Sequence, residues 1–212
     1  MLNNYKYKHN CADRQDGRIT SPAVIGTVLA LLSMIEPRKL PPPTRQVRDA
    51  YLQLAMEIDR VVSGLAAGRL AGRIRCRPGC SNCCMEFSVL PLEAAMLLAG
   101  LDWRATGGQR RKGRKGRCLF LHDDRCTVYP RRPIICRTQG MALAYIDEIE
   151  ERIEVSACPL NFAVDDVLEQ EDLLFMDGFN ERLAALNLRY SQDNGVAAAV
   201  RIALADLACP PA

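Results

Sequence analysis

The chain has 212 residues, of which 49% are hydrophobic and 25% charged, and its formal net charge is +3. This balance is typical of a globular domain and does not require disorder; by itself it indicates neither a nucleic-acid nor a membrane partner. No apolar run approaches the roughly 20 residues that a membrane-spanning helix needs, so the sequence predicts no transmembrane segment.

Residues 1–43 are predicted to be an N-terminal tail with one short apolar helix. Residues 22–35 are apolar over the length of a signal-peptide core, but a polar stretch precedes them and Glu36-Pro37-Arg38-Lys39 follows instead of a cleavage site. We interpret residues 22–35 as a buried helix or a docking segment and expect a cytoplasmic protein. In that reducing compartment, clustered cysteines more often bind metal or do redox chemistry than form disulfides.

Residues 44–208 are predicted to form one α+β domain, mainly α-helical, with a small irregular β and loop region organised by a cysteine metal site. Apolar residues recur at three- and four-residue steps from Val47 to Leu65. This spacing predicts a helix of about 25 residues with one buried face. A second helix is predicted from Pro91, since proline is tolerated in a first turn, to the terminating Gly100.

The second half of the chain predicts short hairpins followed by helices. Hairpins are expected around Cys118-Leu-Phe-Leu and Cys126-Thr-Val-Tyr, and between residues 142–146 and 152–156. C-terminal helices are predicted over residues 164–208: helical spacing returns at about Val164, breaks at Asn194-Gly195, and is followed by an alanine-rich helix through Leu207.

Eight of the ten cysteines lie between residues 76 and 158, mostly beside turn-forming residues rather than on predicted helix faces. Isolated buried thiols or disulfides account poorly for so dense a group. Cys11 and Cys209 lie in the predicted tails and are excluded as ligands. The candidate metal ligands are Cys76, Cys80, Cys83, Cys84, Cys118, Cys126, Cys136 and Cys158.

The cysteine spacing favours an iron–sulfur cluster over zinc. A structural zinc site usually takes two closely spaced ligand pairs, and here Cys80 and Cys83 form one such pair without a second. Adjacent Cys83 and Cys84 fit one tetrahedral ion awkwardly, whereas a cluster accepts uneven spacings. We predict an iron–sulfur cluster, with Zn²⁺ as the alternative. The number of sites, and the division of the eight cysteines into ligands and neighbours, stay open.

Positive charge surrounds Cys136 in the sequence. Arg132 and Arg137 are predicted to lie near the thiolates, where guanidinium groups favour deprotonated sulfur, and a solvated basic turn is the alternative. His122, beside Asp123-Asp124, is expected in an exposed turn, and a role as an auxiliary ligand is the alternative.

Cys76-x3-Cys80-x2-Cys83-Cys84, together with Cys118-Leu-Phe-Leu, Cys126-Thr-Val-Tyr, Arg132-Pro133 and Cys136-Arg137, resembles the YkgJ-type cysteine-cluster family. The resemblance covers residues 70–160 and implies a zinc- or iron-chelating domain without defining its activity. Flagellin lysine methylases are similar in their cysteine region, which keeps a protein-modifying enzyme among the hypotheses. Radical S-adenosylmethionine enzymes share the first spacing, but they usually carry an aromatic residue where this chain has Asn82.

The basic run at residues 107–117, GGQRRKGRKGR, is predicted to be a flexible loop. It could contact an anionic partner, although the absence of interleaved aromatic residues weakens the case for nucleic acid. Three functions follow in order of preference: an iron–sulfur protein that carries electrons or senses redox state; a zinc or iron carrier or binding module with an unknown protein partner; and a protein-modifying enzyme. No catalytic motif accompanies the cysteines.

Overall fold

The computed structural model describes residues 6–7, 39–101 and 116–207. Of these, 42% are helical and 14% lie in strands, so the predicted mixture of helix and strand is confirmed. The helices are α1 (Arg45–Ala67), α2 (Pro91–Leu98), α3 (Ile134–Thr138), α4 (Asp177–Asn194) and α5 (Leu204–Leu207). The strands are β1 (Lys6–Tyr7), β2 (Ser88–Val89), β3 (Leu121–His122), β4 (Arg125–Cys126), β5 (Leu143–Asp147), β6 (Arg152–Ser156), β7 (Leu174–Phe175) and β8 (Ile202–Ala203).

Helix α1 confirms the longest helix predicted from the sequence. Thr44 caps its start, where the Thr44 hydroxyl accepts a hydrogen bond from the Val47 amide at 3.4 Å. The apolar stripe becomes a buried face formed by Val47, Tyr51, Leu54, Ala55 and Ile58. This face packs against α3 and α4. Helix α1 thus forms one wall of the main hydrophobic core.

The main sheet has the strand order β1-β6-β5-β7. Its centre is the antiparallel pair β5 and β6, which aligns Leu143 with Ser156 and Asp147 with Arg152 and confirms the predicted hairpin. β7 joins β5 in parallel, and β1 joins β6 in parallel. Two further two-stranded sheets pair β2 with β8 and β3 with β4.

Two groups of buried side chains form the core. The larger joins α1, α2, α4 and the main sheet, and includes the fully buried Tyr190 and Leu92. The smaller lies beneath α5, β2 and the segment around β3 and β4, and includes Phe120 and Leu207. Cys118, Cys126 and Cys136 pack against this smaller group, so part of the cysteine region rests on an apolar floor.

Two helix predictions in the C-terminal half are wrong. Residues 164–176 contain a short 3-10 helix and β7, and the helix begins only at Asp177. The leucines of this stretch are buried as its spacing suggested, but pairing with β5 fixes the backbone as a strand. The alanine-rich segment is mainly turns and β8, with only the four-residue α5 helical, because Ile202 pairs with Val89. Gly195 ends α4 at φ +65°, as predicted.

Several sequence predictions fall outside the described residues. These are the short apolar helix at residues 22–35 and residues 107–115 of the basic loop. The domain boundary near residue 44 stays a prediction. Among the described helices, none combines the length and apolarity that crossing a bilayer demands.

Candidate metal centre

The first four candidate cysteines lie in a loop that tight turns fold back on itself. The Cys80 amide donates to the Arg77 carbonyl at 2.9 Å, and the Cys84 amide donates to the Ser81 carbonyl at 2.9 Å. Gly79, between these residues, has φ +94°, a conformation that other residues rarely adopt. The turns bring the four side chains of this loop to one edge of the domain.

The next two cysteines are joined to this loop through the backbone. The Cys118 amide donates to the Cys84 carbonyl at 3.2 Å. Cys126 lies on β4, opposite Leu121 of β3, and the hairpin turns through Asp123 and Asp124 with positive φ at both, the geometry of a type I′ turn. The hairpin predicted here is therefore confirmed, although only two residues of each strand pair.

A polar contact reinforces the junction between loop and hairpin. The buried Ser81 hydroxyl donates to Asp124 at 2.5 Å and accepts from the Arg117 guanidinium at 2.5 Å. His122 is exposed on β3, with its Nδ1 3.0 Å from the Asp123 carboxylate. Its exposure agrees with the prediction, but it lies in a strand beside the turn rather than within the turn.

Cys136 lies on the short helix α3 rather than in a solvated basic turn, which was the alternative interpretation of this segment. The buried Glu93 carboxylate accepts hydrogen bonds from the Ile134 amide at 2.9 Å and from the Leu90 amide at 3.2 Å. It therefore caps the starts of α3 and α2 together. Pro133 precedes the helix and its carbonyl accepts from the Cys136 amide at 3.0 Å. These contacts hold the helix that carries Cys136 against the start of α2.

A cavity of about 440 Å³ lies where these segments meet. Apolar and charged side chains, among them Phe87, Leu121 and Arg132, complete its wall. Cys158 is not part of the wall, but Asn161 connects it to Cys76. Within residues 39–101 and 116–207, no three Cys, His, Asp or Glu side chains already stand in metal-binding geometry. The cysteines of the wall are Cys76, Cys80, Cys83, Cys84, Cys118, Cys126 and Cys136.

Burial raises the pKa of several thiols in the cavity wall, and in some of them neighbouring thiols add to the effect. Burial raises the pKa of Cys136, and the nearby Cys118 and Cys126 raise it further. A hydrogen bond with Cys84, followed by burial, raises the pKa of Cys83; the same bond lowers the pKa of Cys84. A bound cation would reverse this repulsion and deprotonate the thiols that coordinate it. Such a sulfur-rich donor set suits zinc or iron–sulfur clusters.

The two arginines predicted near the thiolates have different surroundings. Arg132 lines the cavity, stacks 4.0 Å from the Tyr129 ring centre, and lowers the pKa of Cys126 after burial has raised it. Both arginines pair with Asp59 of α1, Arg132 at 3.5 Å and Arg137 more closely, and Arg137 also donates to the Pro130 carbonyl at 3.2 Å. Arg132 thus faces a thiol, and Arg137 fastens α3 to α1.

Three residues that organise this region were not predicted from the sequence. Ser81 and Glu93 make the contacts described above, and Asn161 donates to the Cys76 sulfur at 3.3 Å. A single acid in the otherwise apolar helix Pro91–Leu98 was a usable signal for Glu93. No comparable signal marked Ser81 or Asn161, because their partners are distant in the chain.

Residues 75–159 match one protein-family model, CxxCxxCC, whose description reads "Putative zinc- or iron-chelating domain". The match includes all eight candidate cysteines and lies within the residues 70–160 that resembled this family. No curated protein and no solved structure matches the chain.

Proposed function

Because residues 75–159 belong to this zinc- or iron-chelating family, we propose that the cysteine cavity holds an iron–sulfur cluster used in electron transfer or redox sensing. The observation that carries the proposal is the convergence of seven cysteines on one cavity of about 440 Å³. One tetrahedral zinc ion and one iron–sulfur cluster each take four ligands. The seven thiols therefore support a metal centre of either kind, and the choice between the two depends on how the thiols are arranged.

The uneven arrangement of the thiols also supports a cluster. The cysteines come from a loop, a hairpin and a helix rather than from two matching ligand pairs. A cluster presents several iron atoms over a larger volume and can accept ligands from such different elements. A bound cluster would supply one-electron chemistry.

The protein's own part would be to ligate the cluster and set its environment. Arg132 favours the thiolate form of Cys126, and the apolar Phe87 and Leu121 limit the water around the sulfurs. Sulfur hydrogen bonds, charge and exposure to solvent are the features that tune a cluster's reduction potential. We further propose a cytoplasmic location, since an iron–sulfur or zinc site of this kind needs its thiols reduced.

Zinc or iron chelation without a cluster is the second candidate. It is favoured by the family description, which names both metals, and by the pair Cys80 and Cys83 in one loop. A carrier of this kind would need a partner, and the basic run at residues 107–117 is our proposed contact for an anionic or protein partner.

The deciding experiment is anaerobic purification followed by iron, zinc and acid-labile sulfide analysis with visible absorption. Brown protein with iron and sulfide supports the cluster, whereas colourless protein with stoichiometric zinc selects the alternative. Cys80→Ser should lose metal and stability, and Cys11→Ser should retain both because Cys11 lies outside the predicted site. Wild-type protein without bound metal, or a Cys80→Ser variant with normal metal content, would contradict the respective assignment.

A further inference from the structure

Asn161 connects three separate parts of the cysteine region through one buried side chain. Its Oδ1 accepts from the Arg75 amide at 2.9 Å, and its Nδ2 donates to the Gly140 carbonyl at 2.7 Å and to the Cys76 sulfur at 3.3 Å. Only 8% of the residue is exposed. Asn161 lies two positions beyond the end of the family match at residue 159.

The backbone of Asn161 also contacts the last candidate cysteine. Its amide donates to the Cys158 carbonyl at 3.0 Å, closing a turn through Pro159 and Leu160. One residue therefore contacts Cys76 through its side chain and Cys158 through its backbone. These two cysteines are 82 positions apart in the chain, and Asn161 forms hydrogen bonds with both.

These hydrogen bonds satisfy both N–H donors of the Asn161 side chain. The amide group has two N–H donors, which match its two acceptors, the Gly140 oxygen and the Cys76 sulfur. Cys76 is the one exposed thiol among the eight, so it has little apolar packing to hold it in place. An N–H donor to a metal-bound thiolate fixes the direction of the sulfur and withdraws charge from it.

We propose that Asn161 is a positioning residue of the metal centre, which holds Cys76 beside Cys158 as neighbouring ligands and donates a hydrogen bond to the Cys76 sulfur. The proposal rests on the proposed metal-binding function and deepens it. It adds Cys158, which is outside the cavity wall, to the ligands through Asn161. It also assigns a task to a residue outside the range that the family model matches.

The first test compares two buried asparagines. Asn161→Asp keeps the shape and the acceptor for Arg75 but replaces the nitrogen that donates to the Cys76 sulfur and the Gly140 carbonyl with a carboxylate oxygen. Asn187→Asp is the matched control, since Asn187 is 2% exposed and bridges the Leu92 amide and the Ala198 carbonyl away from the cysteines. Loss of a partner that orients a metal ligand typically costs about 10–100-fold in affinity.

The readout is the rate at which a chelator removes cadmium from the reduced full-length protein. Asn161→Asp should release cadmium about 10–100-fold faster, with Asn187→Asp close to wild type. Equal rates in wild type and Asn161→Asp, or equal acceleration in both variants, would overturn the positioning role.

A second measurement on the wild-type protein keeps the proposal testable if Asn161→Asp does not fold. ¹¹³Cd-loaded, ¹⁵N-labelled protein should show scalar coupling from ¹¹³Cd to the β-protons of Cys76 and Cys158, and to the Asn161 side-chain amide across the hydrogen bond. Bound cadmium without these couplings would overturn the proposal alone. Failure to bind cadmium, zinc or an iron–sulfur cluster would overturn the proposed function with it.

Discussion

A methyl group added at Gly140 should displace the Cys76 sulfur without altering any thiol. Gly140 has φ +96°, and a Cβ built there would lie 2.6 Å from the Cys76 sulfur and 3.4 Å from Asn161 Nδ2. The first distance is too short for two unbonded atoms, so Gly140→Ala must move the sulfur or the backbone. Gly72 is the matched control, because it has φ +80° but open space within 4 Å of its Cβ position.

The two substitutions share one cost and differ in another. An alanine held at positive φ costs roughly 1–2 kcal/mol in either position. In Gly140→Ala the exposed Cys76 sulfur must also move away from the new methyl group, which breaks its hydrogen bond from Asn161 at a cost of about 0.5–1.5 kcal/mol. Gly140→Ala should therefore lower the free energy of unfolding by about 0.5–1.5 kcal/mol more than Gly72→Ala does.

Urea unfolding followed by circular dichroism, on both variants as purified in reductant, measures this difference. Chelator-driven metal loss measures the effect on the site, and we expect it to be faster in Gly140→Ala and unchanged in Gly72→Ala. Equal free energies of unfolding together with equal rates of metal loss would refute the close approach of Gly140 to Cys76.

Three further substitutions test the contacts around this region. Glu93→Gln replaces a carboxylate that accepts two backbone amides with a single acceptor, which should cost about 1–3 kcal/mol in urea unfolding. Burial raises the pKa of Glu93, so the folded protein binds the proton of this carboxyl group more tightly than the unfolded chain does. The free energy of unfolding should therefore fall as pH rises from the ordinary glutamate range to the raised pKa. Glu93→Gln should reduce this dependence of the unfolding free energy on pH, and an unchanged dependence would contradict the assignment to Glu93. Thr44→Ala removes a helix cap and should cost about 1 kcal/mol, which Thr44→Ser should largely restore in thermal unfolding. Asp59→Asn should lower the free energy of unfolding by about 1–3 kcal/mol because its partner Arg137 is buried. Asp49→Asn, on the exposed side of the same helix, should change the free energy of unfolding by less than about 1 kcal/mol. Equal effects of the two substitutions would argue against a stabilising ion pair between Asp59 and Arg137.

Patterns formed by residues close together in the sequence predicted the structure correctly. The apolar spacing from Val47 to Leu65 predicts α1, because a helix repeats every 3.6 residues whatever it packs against. The strand pair β5 and β6 is equally local, since a short turn joins its two halves. The cysteine pattern likewise identifies the family, because four of its eight positions fall within one loop.

Patterns that depend on distant partners misled the prediction or left no trace. Leucines near residue 174 have helical spacing, yet β5 offers unpaired backbone groups that a strand can satisfy. The Ile202 segment takes its strand conformation from pairing with Val89, which is more than 100 positions earlier. Neither partner can be identified from the local sequence, so helix propensity alone favours the wrong structure.

By itself, the sequence determined the helix α1, the central hairpin and the composition of a sulfur-rich site, since each follows from residues close together in the chain. Only the tertiary structure decided that seven thiols share one cavity, that Glu93 caps two helices, and that Asn161 reaches Cys76 across 85 positions. The reason is that a hydrogen bond between distant residues forms only when packing brings them within about 3 Å. Its partners therefore remain unknown until the chain has folded.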